Sequence, residues 1–187
     1  FSFSDYQLIS AFVDVDLTRI TQARTGETVP NLDTRIYIPF AYPTLLPRVN
    51  HSAEAIWEGS NYLKEEEFAR AEALGLFDYM RKSRSCGFIL SLSGGADSAA
   101  IACLVRLMVE LGVQELGIQG FCQKLNYWPL TGNSVAELVN TLLTCVYQAT
   151  ENSGDVTRHA AETLAHALDA RYLALDITQQ AQGYIEL

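Results

Sequence analysis

The stretch at residues 87–100, GFILSLSGGADSAA, limits most strongly how this chain can fold. Its apolar run at residues 88–90 predicts a buried strand, which gives way to a loop of small residues ending at Ser98. Beyond the loop, apolar side chains recur at the spacing of one helical face, at Ile101, Leu104, Val105, Met108 and Leu111. The stretch therefore predicts a strand, a tight glycine loop and a helix that begins at Ser98.

A loop between a strand and a helix N-terminus is suited to binding an anion. The first amides of a helix have no acceptor within it, and the helix dipole favours negative charge there. Gly94 and Gly95 lack a Cβ, so their backbone can approach a phosphate closely. Ser93 and Ser98 add hydroxyl donors. Asp97 would repel a phosphate unless a cation lay between them, so we predict that it shares Mg²⁺ with phosphate oxygens.

The loop contains no lysine, so it is not the G-x-x-x-x-G-K-[ST] type of phosphate loop. The run at residues 93–98, SGGADS, instead resembles the SGGxDS pyrophosphate loop of the N-type ATP pyrophosphatases. That resemblance implies that ATP is cut between its α- and β-phosphates, that AMP passes to an acceptor, and that pyrophosphate stays in the loop. It makes Ser93, Asp97 and Ser98 the predicted catalytic residues and Asp97 the predicted metal ligand.

An α/β fold is predicted from the order of elements after residue 87. Residues 142–147 predict a second buried strand, and residues 171–177 predict a third strand. Between them, a helix is expected to run from an N-cap at Asn152 to about Leu168. We expect it to bury Val156, Ala160, Thr163, Leu164 and Ala167. The alternation implies right-handed crossovers and a doubly wound, Rossmann-like parallel sheet, with a last helix beginning at Thr178.

Ligands of such sheets bind at the carboxyl ends of the strands. The polar turn at residues 147–153 should therefore lie near the loop and contact adenosine. The predicted nucleotide-binding residues are Ser91, Leu92, Ser93, Gly94, Gly95, Ala96, Asp97, Ser98, Tyr147 and Gln148. By contrast, residues 112–132 carry several glycines and no clean period, and predict an irregular excursion.

The first third of the chain is predicted to hold a terminal strand and a linker. Residues 6–15 are β-rich, and a short helix is expected at 16–24. Four prolines between residues 25 and 51 indicate an extended linker, with a short strand at 35–38. A helix is then predicted at 63–82, with a basic, solvated end and an apolar stripe of Phe68, Ala71, Leu74, Leu76, Phe77 and Met80.

Composition limits the partners and the compartment. The formal net charge of −9 argues against nucleic acid, whose phosphates require a basic face. No apolar run approaches the roughly 20 residues that span a bilayer, and residue 1 begins no signal-peptide pattern. The four cysteines have no C-x-x-C spacing and are expected to be reduced thiols in the core of a cytoplasmic protein, rather than a disulfide or zinc framework. His159 and His166 are expected to be surface or packed histidines rather than a metal pair.

Three segments together resemble the glutamine-dependent NAD synthetases, a more selective likeness than the loop alone. Residues 1–24 resemble the end of that family's nitrilase-like glutaminase domain, and residues 65–100 its entry helix and pyrophosphate loop. Residues 142–177, which include VYQATENS, resemble the next strand–helix–strand unit. The resemblance implies a glutaminase-domain end at 1–24, a linker at 25–61 and, at 62–187, part of a synthetase domain with the adenine nucleotide α-hydrolase-like fold.

The same resemblance implies a ligase that converts deamido-NAD to NAD. ATP adenylates the nicotinate carboxylate, ammonia from glutamine displaces AMP, and the enzyme is a homo-oligomer. The glutaminase triad would then lie before Phe1, and the dinucleotide-binding and second metal-ligand segments beyond Leu187. Other readings of the loop are a GMP synthetase, an argininosuccinate synthetase, a tRNA-thiolating enzyme and a non-catalytic nucleotide-binding module. A purely structural α/β domain would leave Asp97 unexplained.

Overall fold

The computed structural model describes residues 2–6, 14–25, 36, 38–39, 41, 56–151 and 153–185. The chain divides into two compact units. One consists of Phe1–Tyr6 and Ala55–Leu187, and the other is Gln7–Glu54. In chain order the elements are α1 (Val15–Thr25), a short 3-10 helix (Ile56–Gly59), α2 (Leu63–Ser83), β1 (Phe88–Ser91), α3 (Ala96–Lys124), α4 (Val135–Leu142), β2 (Leu143–Ala149), α5 (Asp155–Ala167), β3 (Arg171–Asp176) and α6 (Thr178–Ile185).

The three strands form one parallel sheet in which β2 is central. Phe88 pairs with Leu143, and Cys145 pairs with Tyr172. Paired residues of neighbouring strands share a face, and side chains alternate along each strand. The face that packs into the core with α3 and α5 carries Phe88, Leu90, Leu143, Cys145, Tyr147 and Tyr172. The predicted α/β fold with a parallel sheet is confirmed.

Helix α3 begins at Ala96, two residues before Ser98, the predicted first residue. It changes direction at Gly117, where φ is 71° and ψ is 164°. Beyond this kink, Phe121 folds back onto Gly112, where an added Cβ would lie 2.7 Å from the aromatic ring. The irregular excursion predicted at residues 112–132 is therefore wrong as far as Lys124. Within α3, Gly112 allows close packing of Phe121, and Gly117 forms the kink.

Helix α2 confirms the helix predicted at residues 63–82, but its apolar face is narrower than predicted. Ala73, Phe77 and Met80 are buried against α3, whereas Phe68 is 62% exposed. Ala71 is also exposed, so the first turns of the predicted stripe are wrong. At the helix end, two basic side chains form ion pairs with one carboxylate, Arg81 and Lys82 with Asp78. The solvated basic end is confirmed.

Helix α5 packs on the sheet through a different face from the predicted one. It buries Ala161 and Ala165, while Val156 is 83% exposed. Of the residues predicted to be buried, Leu164 packs against the core, and Ala160, Thr163 and Ala167 are exposed. The helix is capped by Gly154, and the predicted cap, Asn152, lies outside the described residues. His159 and His166 are exposed, which selects the surface alternative of the prediction.

In the unit Gln7–Glu54 the structure describes α1 and a few single positions. Asp14 caps α1, because its Oδ1 accepts a hydrogen bond from the Leu17 amide at 3.0 Å. The helix predicted at 16–24 is confirmed, and Val15, predicted as the end of a strand, belongs to this helix. Tyr6 and Asp14 of that predicted strand, and Ile36 and Ile38 of the one predicted at 35–38, are not in a strand. Residues 7–13 and most of the proline-rich stretch lie outside the described residues.

All four cysteines are free thiols, but the predicted position in the core is wrong for two of them. Cys145 is buried on β2, whereas Cys86 and Cys103 are exposed. Burial raises the pKa of the Cys145 thiol, so it stays protonated at neutral pH. None of the helices in the described ranges combines the length and the apolar character needed to cross a bilayer.

Residues 2–4 are fastened to α3 by Glu115. The hydroxyls of Ser2 and Ser4 donate to Glu115 Oε1 at 2.6 and 2.8 Å, and the Phe3 amide donates to Oε2 at 2.9 Å. The Phe3 ring enters the core, where its centroid lies 5.1 Å from that of Phe77. We call these four residues, Ser2 to Ser4 and Glu115, the Glu115 clasp.

Removing the charge of Glu115 should loosen the clasp. Burial alone would raise the pKa of Glu115, but the hydrogen bonds from residues 2–4 outweigh it, and this pKa lies below its usual value. We expect Glu115→Gln to lower the free energy of unfolding by about 1–2 kcal/mol at neutral pH. A lowered pKa means that this stabilisation is complete above about pH 4.3 and is lost as the pH falls through the folded-state pKa.

Thermal unfolding of the full-length protein, compared between wild type and Glu115→Gln from neutral to acid pH, checks this. The exposed Glu67 on α2 has no hydrogen-bond or ion-pair partner within the described ranges, so Glu67→Gln is the matched control. The difference between wild type and Glu115→Gln should shrink on acidification. A difference that stays constant with pH would contradict the clasp.

Candidate functional site

The direction in which the loop leaves β1 is fixed by its first residue, Leu92. Leu92 is fully buried, and its amide donates to the carbonyl oxygen of Val146 on β2 at 2.9 Å. The backbone then turns into α3, which begins at Ala96 with Gly95 as an extended N-cap. The predicted strand–loop–helix arrangement is therefore present at the carboxyl edge of the sheet.

Two serine hydroxyls brace the loop internally. Ser98 Oγ accepts from the Ser93 amide at 3.3 Å and donates to the Gly95 carbonyl at 3.2 Å. The Ser93 and Ser98 hydroxyls lie 3.1 Å apart, and the Gly95 amide donates to Ser93 Oγ at 3.3 Å. These bonds set the curvature of the loop. A serine hydroxyl can donate to a bound anion only by rotating its single proton away from its partner in the loop.

The first turn of α3 offers a cluster of amides without acceptors. Among the residues that the structure describes, no acceptor lies within hydrogen-bond distance of the amides of Gly94, Ala96, Asp97 and Ser98. The positive end of the α3 dipole lies at the same point. The Asp97 side chain is exposed in this turn. The arrangement is suited to an anion that arrives with a cation.

Gly94 packs directly against the first turn of α5. Its φ is 80°, a conformation that residues with a side chain rarely adopt, and a Cβ there would lie 2.4 Å from the Thr157 carbonyl oxygen. Only glycine allows the loop and the first turn of α5 to come so close. The loop is thus supported by a neighbouring helix as well as by its own strand.

The first turn of α5 is tied to β2 through side-chain hydroxyls. Thr157 Oγ1 donates to the Gly154 carbonyl at 2.9 Å and lies 2.8 Å from the Tyr147 hydroxyl. Tyr147 lies on the central strand and is 4% exposed. The end of β2 and the start of α5 are therefore held together beside the loop.

A cavity of about 350 Å³ lies where the ends of β1 and β2 meet the start of α5. Across its mouth, Ser91 Oγ donates to Gln148 Oε1 at 2.9 Å. The residues that line it are Ser91, Leu92, Ser93, Tyr147, Gln148, Ser153, Gly154 and Thr157. The structure thus brings the loop and the turn after β2 to one place.

The individual roles of the predicted site residues stay predictions, but the structure limits two of them. The Leu92 side chain is buried and its amide is bonded within the sheet. Leu92 can therefore offer a ligand only its backbone carbonyl. The Tyr147 hydroxyl is already bonded to Thr157. Ser153 ends the polar turn that the sequence analysis placed near the loop, and it lines the cavity. Sequence reasoning missed Gly154 and Thr157, which follow directly on that turn.

The donor set at the loop suits a cation that is shared with phosphate. Among the described residues, no three His, Cys, Asp or Glu side chains are grouped so that they could hold a metal ion. Mg²⁺ commonly binds through one or two carboxylates and completes its shell with phosphate oxygens and water. Asp97 supplies one such exposed carboxylate beside the free amides. The residues fit Mg²⁺ bound together with a nucleotide.

Comparison with known proteins gives relatives of one kind, although no protein-family model matches the chain. Glutamine-dependent NAD(+) synthetase of Rattus norvegicus is 30% identical over 191 residues, which cover 95% of this chain and 26% of that protein. The Oryza sativa subsp. indica protein of the same name is 29% identical over 198 residues, covering 100% and 27%.

A solved structure agrees with these relatives. The crystal structure of a glutamine-dependent NAD(+) synthetase from Cytophaga hutchinsonii matches 65% of this chain and 23% of that chain, with 44% identity and a TM-score of 0.62. The chain spans about a quarter of the length of the curated relatives that it matches. Over that quarter, the chain is a relative of the glutamine-dependent NAD synthetases.

Proposed function

We propose that this chain forms the ATP-binding part of a glutamine-dependent NAD synthetase. The observation that carries the proposal is the lysine-free loop at residues 93–98, whose free amides lie at the carboxyl edge of a parallel sheet. In this proposal the loop binds the β- and γ-phosphates of ATP through the free backbone amides of Gly94, Ala96, Asp97 and Ser98. The bond that breaks is then the one between the α- and β-phosphates.

The acceptor in this proposal is the carboxylate of deamido-NAD, the nicotinate adenine dinucleotide. A carboxylate cannot expel oxide, so it must be activated before an amide can form. A carboxylate oxygen attacks the α-phosphorus, and the bond to the β-phosphate breaks to give an acyl-adenylate and pyrophosphate. Ammonia derived from glutamine then attacks the acyl carbon, and AMP leaves. The sequence of steps requires no nucleophilic side chain.

The loop residues would act on the charge that develops on the leaving pyrophosphate. The free amides are donors held in place before the reaction, which is the arrangement that stabilises developing charge most effectively. The Ser93 and Ser98 hydroxyls would add donors by turning from their partners in the loop toward the phosphate. Asp97 would hold Mg²⁺, which supplies positive charge at the phosphate oxygens when it is bound.

The adenosine part of ATP would occupy the cavity beside the loop. Ser91 and Gln148 offer polar atoms at its mouth, and Leu92 and Tyr147 form part of its wall. We further propose a cytoplasmic homo-oligomer that acts on small molecules. The net charge of −9 disfavours nucleic acid as a partner, and the four free thiols suit a reducing compartment.

The test of the proposed function is amide formation by the full-length protein. Supplied with Mg·ATP and glutamine, it should convert deamido-NAD to NAD, measured by chromatography of the dinucleotides. In parallel, xanthosine monophosphate replaces deamido-NAD as the acceptor. Formation of GMP instead of NAD would overturn the assignment in favour of a GMP synthetase. Binding of Mg·ATP with neither product formed would overturn it in favour of a nucleotide-binding module.

A further inference from the structure

We propose that Tyr147 and Thr157 form a positioning pair that sets the nucleotide affinity of the loop at residues 93–98. This inference rests on the nucleotide-binding role proposed above. Neither residue needs to contact a phosphate for this purpose, because both act through the position of Gly94. Three features of the structure support the pair.

The first feature is the direction of the hydrogen bonds. The Thr157 hydroxyl has one proton, and it is directed to the Gly154 carbonyl at 2.9 Å. The Tyr147 hydroxyl must therefore donate to Thr157 Oγ1, across 2.8 Å. Since Tyr147 lies on the central strand and is nearly buried, this bond fixes the first turn of α5 relative to the sheet.

The second feature is the contact between that turn and the loop. The Thr157 carbonyl oxygen fills the space in which a Cβ of Gly94 would lie, at 2.4 Å. Gly94 is flanked by Ser93 and Gly95, which carry the internal hydrogen bonds of the loop. A shift of Thr157 therefore moves the free amides away from the geometry in which they point at one anion.

The third feature is that α5 is also held by contacts beyond its first turn. Its middle is held by the buried Ala161 and Ala165. Its end is held where Arg106 of α3 donates to the Leu168 carbonyl at 3.0 Å. Loss of the Tyr147–Thr157 bond should therefore loosen the first turn while the helix stays in place. The expected effect falls on nucleotide affinity rather than on folding.

The experiment is a calorimetric titration of the full-length protein with Mg·ATP, together with KM for ATP and kcat. Tyr147→Phe and Thr157→Val each remove one member of the bond with little change in shape. Each should weaken Mg·ATP binding on the order of three- to tenfold, and KM should rise while kcat changes less. Thr157→Ser keeps the hydroxyl and should restore the affinity. The double variant should bind about as weakly as either single one.

Controls separate a positioning role from a structural one. Tyr79→Phe removes a hydroxyl from an exposed tyrosine, 65% accessible on α2, and should bind Mg·ATP as wild type does. The melting temperature and the rate of glutamine hydrolysis should stay at wild-type values in all variants. Wild-type affinity in Thr157→Val would overturn the pair. A loss of affinity that tracks equal losses in stability and in glutamine hydrolysis would overturn it too.

The titration also distinguishes this inference from the proposed function. If the wild type binds Mg·ATP but forms no NAD, the proposed reaction fails, and the variants still decide the positioning pair. If the wild type forms NAD and the variants bind as it does, the pair fails alone. A wild-type protein without affinity for Mg·ATP would overturn both.

Discussion

Replacing Gly94 with alanine is expected to weaken Mg·ATP binding by roughly 30- to 700-fold. The observed conformation has φ at 80°, and a Cβ would lie 2.4 Å from the Thr157 carbonyl oxygen. Backbone strain and this steric overlap together cost about 2–4 kcal/mol if the loop keeps its place. The loop is expected to move instead, and the same free energy must then be supplied when ATP binds. At about 1.4 kcal/mol per tenfold, this gives the stated range.

Gly95 offers the matched control for this prediction. Its φ is −92°, which any residue can adopt, and an added Cβ would meet only the Ser93 hydroxyl, at 3.3 Å. Gly95→Ala should therefore weaken Mg·ATP binding by less than about tenfold. Calorimetric titration of the two full-length variants measures the difference. Equal affinities in Gly94→Ala and Gly95→Ala would show that the contact with α5 does not support the loop.

Asp97→Asn is expected to lower kcat/KM for Mg·ATP by about 100-fold, because asparagine removes the charge that would hold Mg²⁺ beside the phosphates. Glutamine hydrolysis by the full-length protein should largely remain, since the substitution leaves the glutaminase chemistry untouched. Steady-state kinetics of pyrophosphate release and of glutamate formation measure the two activities separately.

A second aspartate separates metal binding from a general helix effect. Asp155 occupies the first turn of α5 as Asp97 occupies that of α3, and both side chains are exposed. An acidic residue in the first turn favours its helix by about 0.3–1 kcal/mol through the dipole in either case. Asp155→Asn should therefore leave kcat/KM for Mg·ATP within about threefold of wild type. Equal losses in the two variants, or a matching loss of glutamine hydrolysis in Asp97→Asn, would contradict the metal role.

The candidate loop could be predicted because its determinants are local. A strand, two glycines and a helix N-terminus follow one another within residues 87–100, and each has a strong conformational preference. The parallel sheet followed from the same kind of evidence, because helices and strands alternate along the chain. The support that α5 gives to Gly94 could not be predicted, since it depends on where Thr157 lies in space.

The helix faces were predicted less well because the sequence offers competing apolar stripes. Helix α5 has alanines on more than one side, and the sheet selects Ala161 and Ala165, whose small side chains allow close approach. Similarly, Ile101 has the spacing of the α3 core face and is 46% exposed, whereas Val105 and Met108 of the same spacing are buried. Tertiary packing makes these choices.

Helix α4 was missed although its sequence carries a start signal. Ser134 Oγ accepts from the Glu137 amide at 3.2 Å, and the Glu137 carboxylate accepts in turn from the Asn133 amide at 2.9 Å. This is close to the capping box, in which a serine is followed three residues later by glutamate. The neighbouring glycines of residues 112–132 led the sequence interpretation toward a loop, but Gly117 only kinks a helix.

The most direct test is to identify which bond of ATP the full-length protein breaks. If the loop at residues 93–98 holds the β- and γ-phosphates as the leaving group, they leave together as pyrophosphate. Incubation with deamido-NAD, glutamine and ATP labelled in its α- and γ-phosphates, followed by chromatography, should yield AMP and pyrophosphate in amounts equal to the NAD formed. Formation of ADP and inorganic phosphate as the primary products would contradict the assignment of residues 93–98.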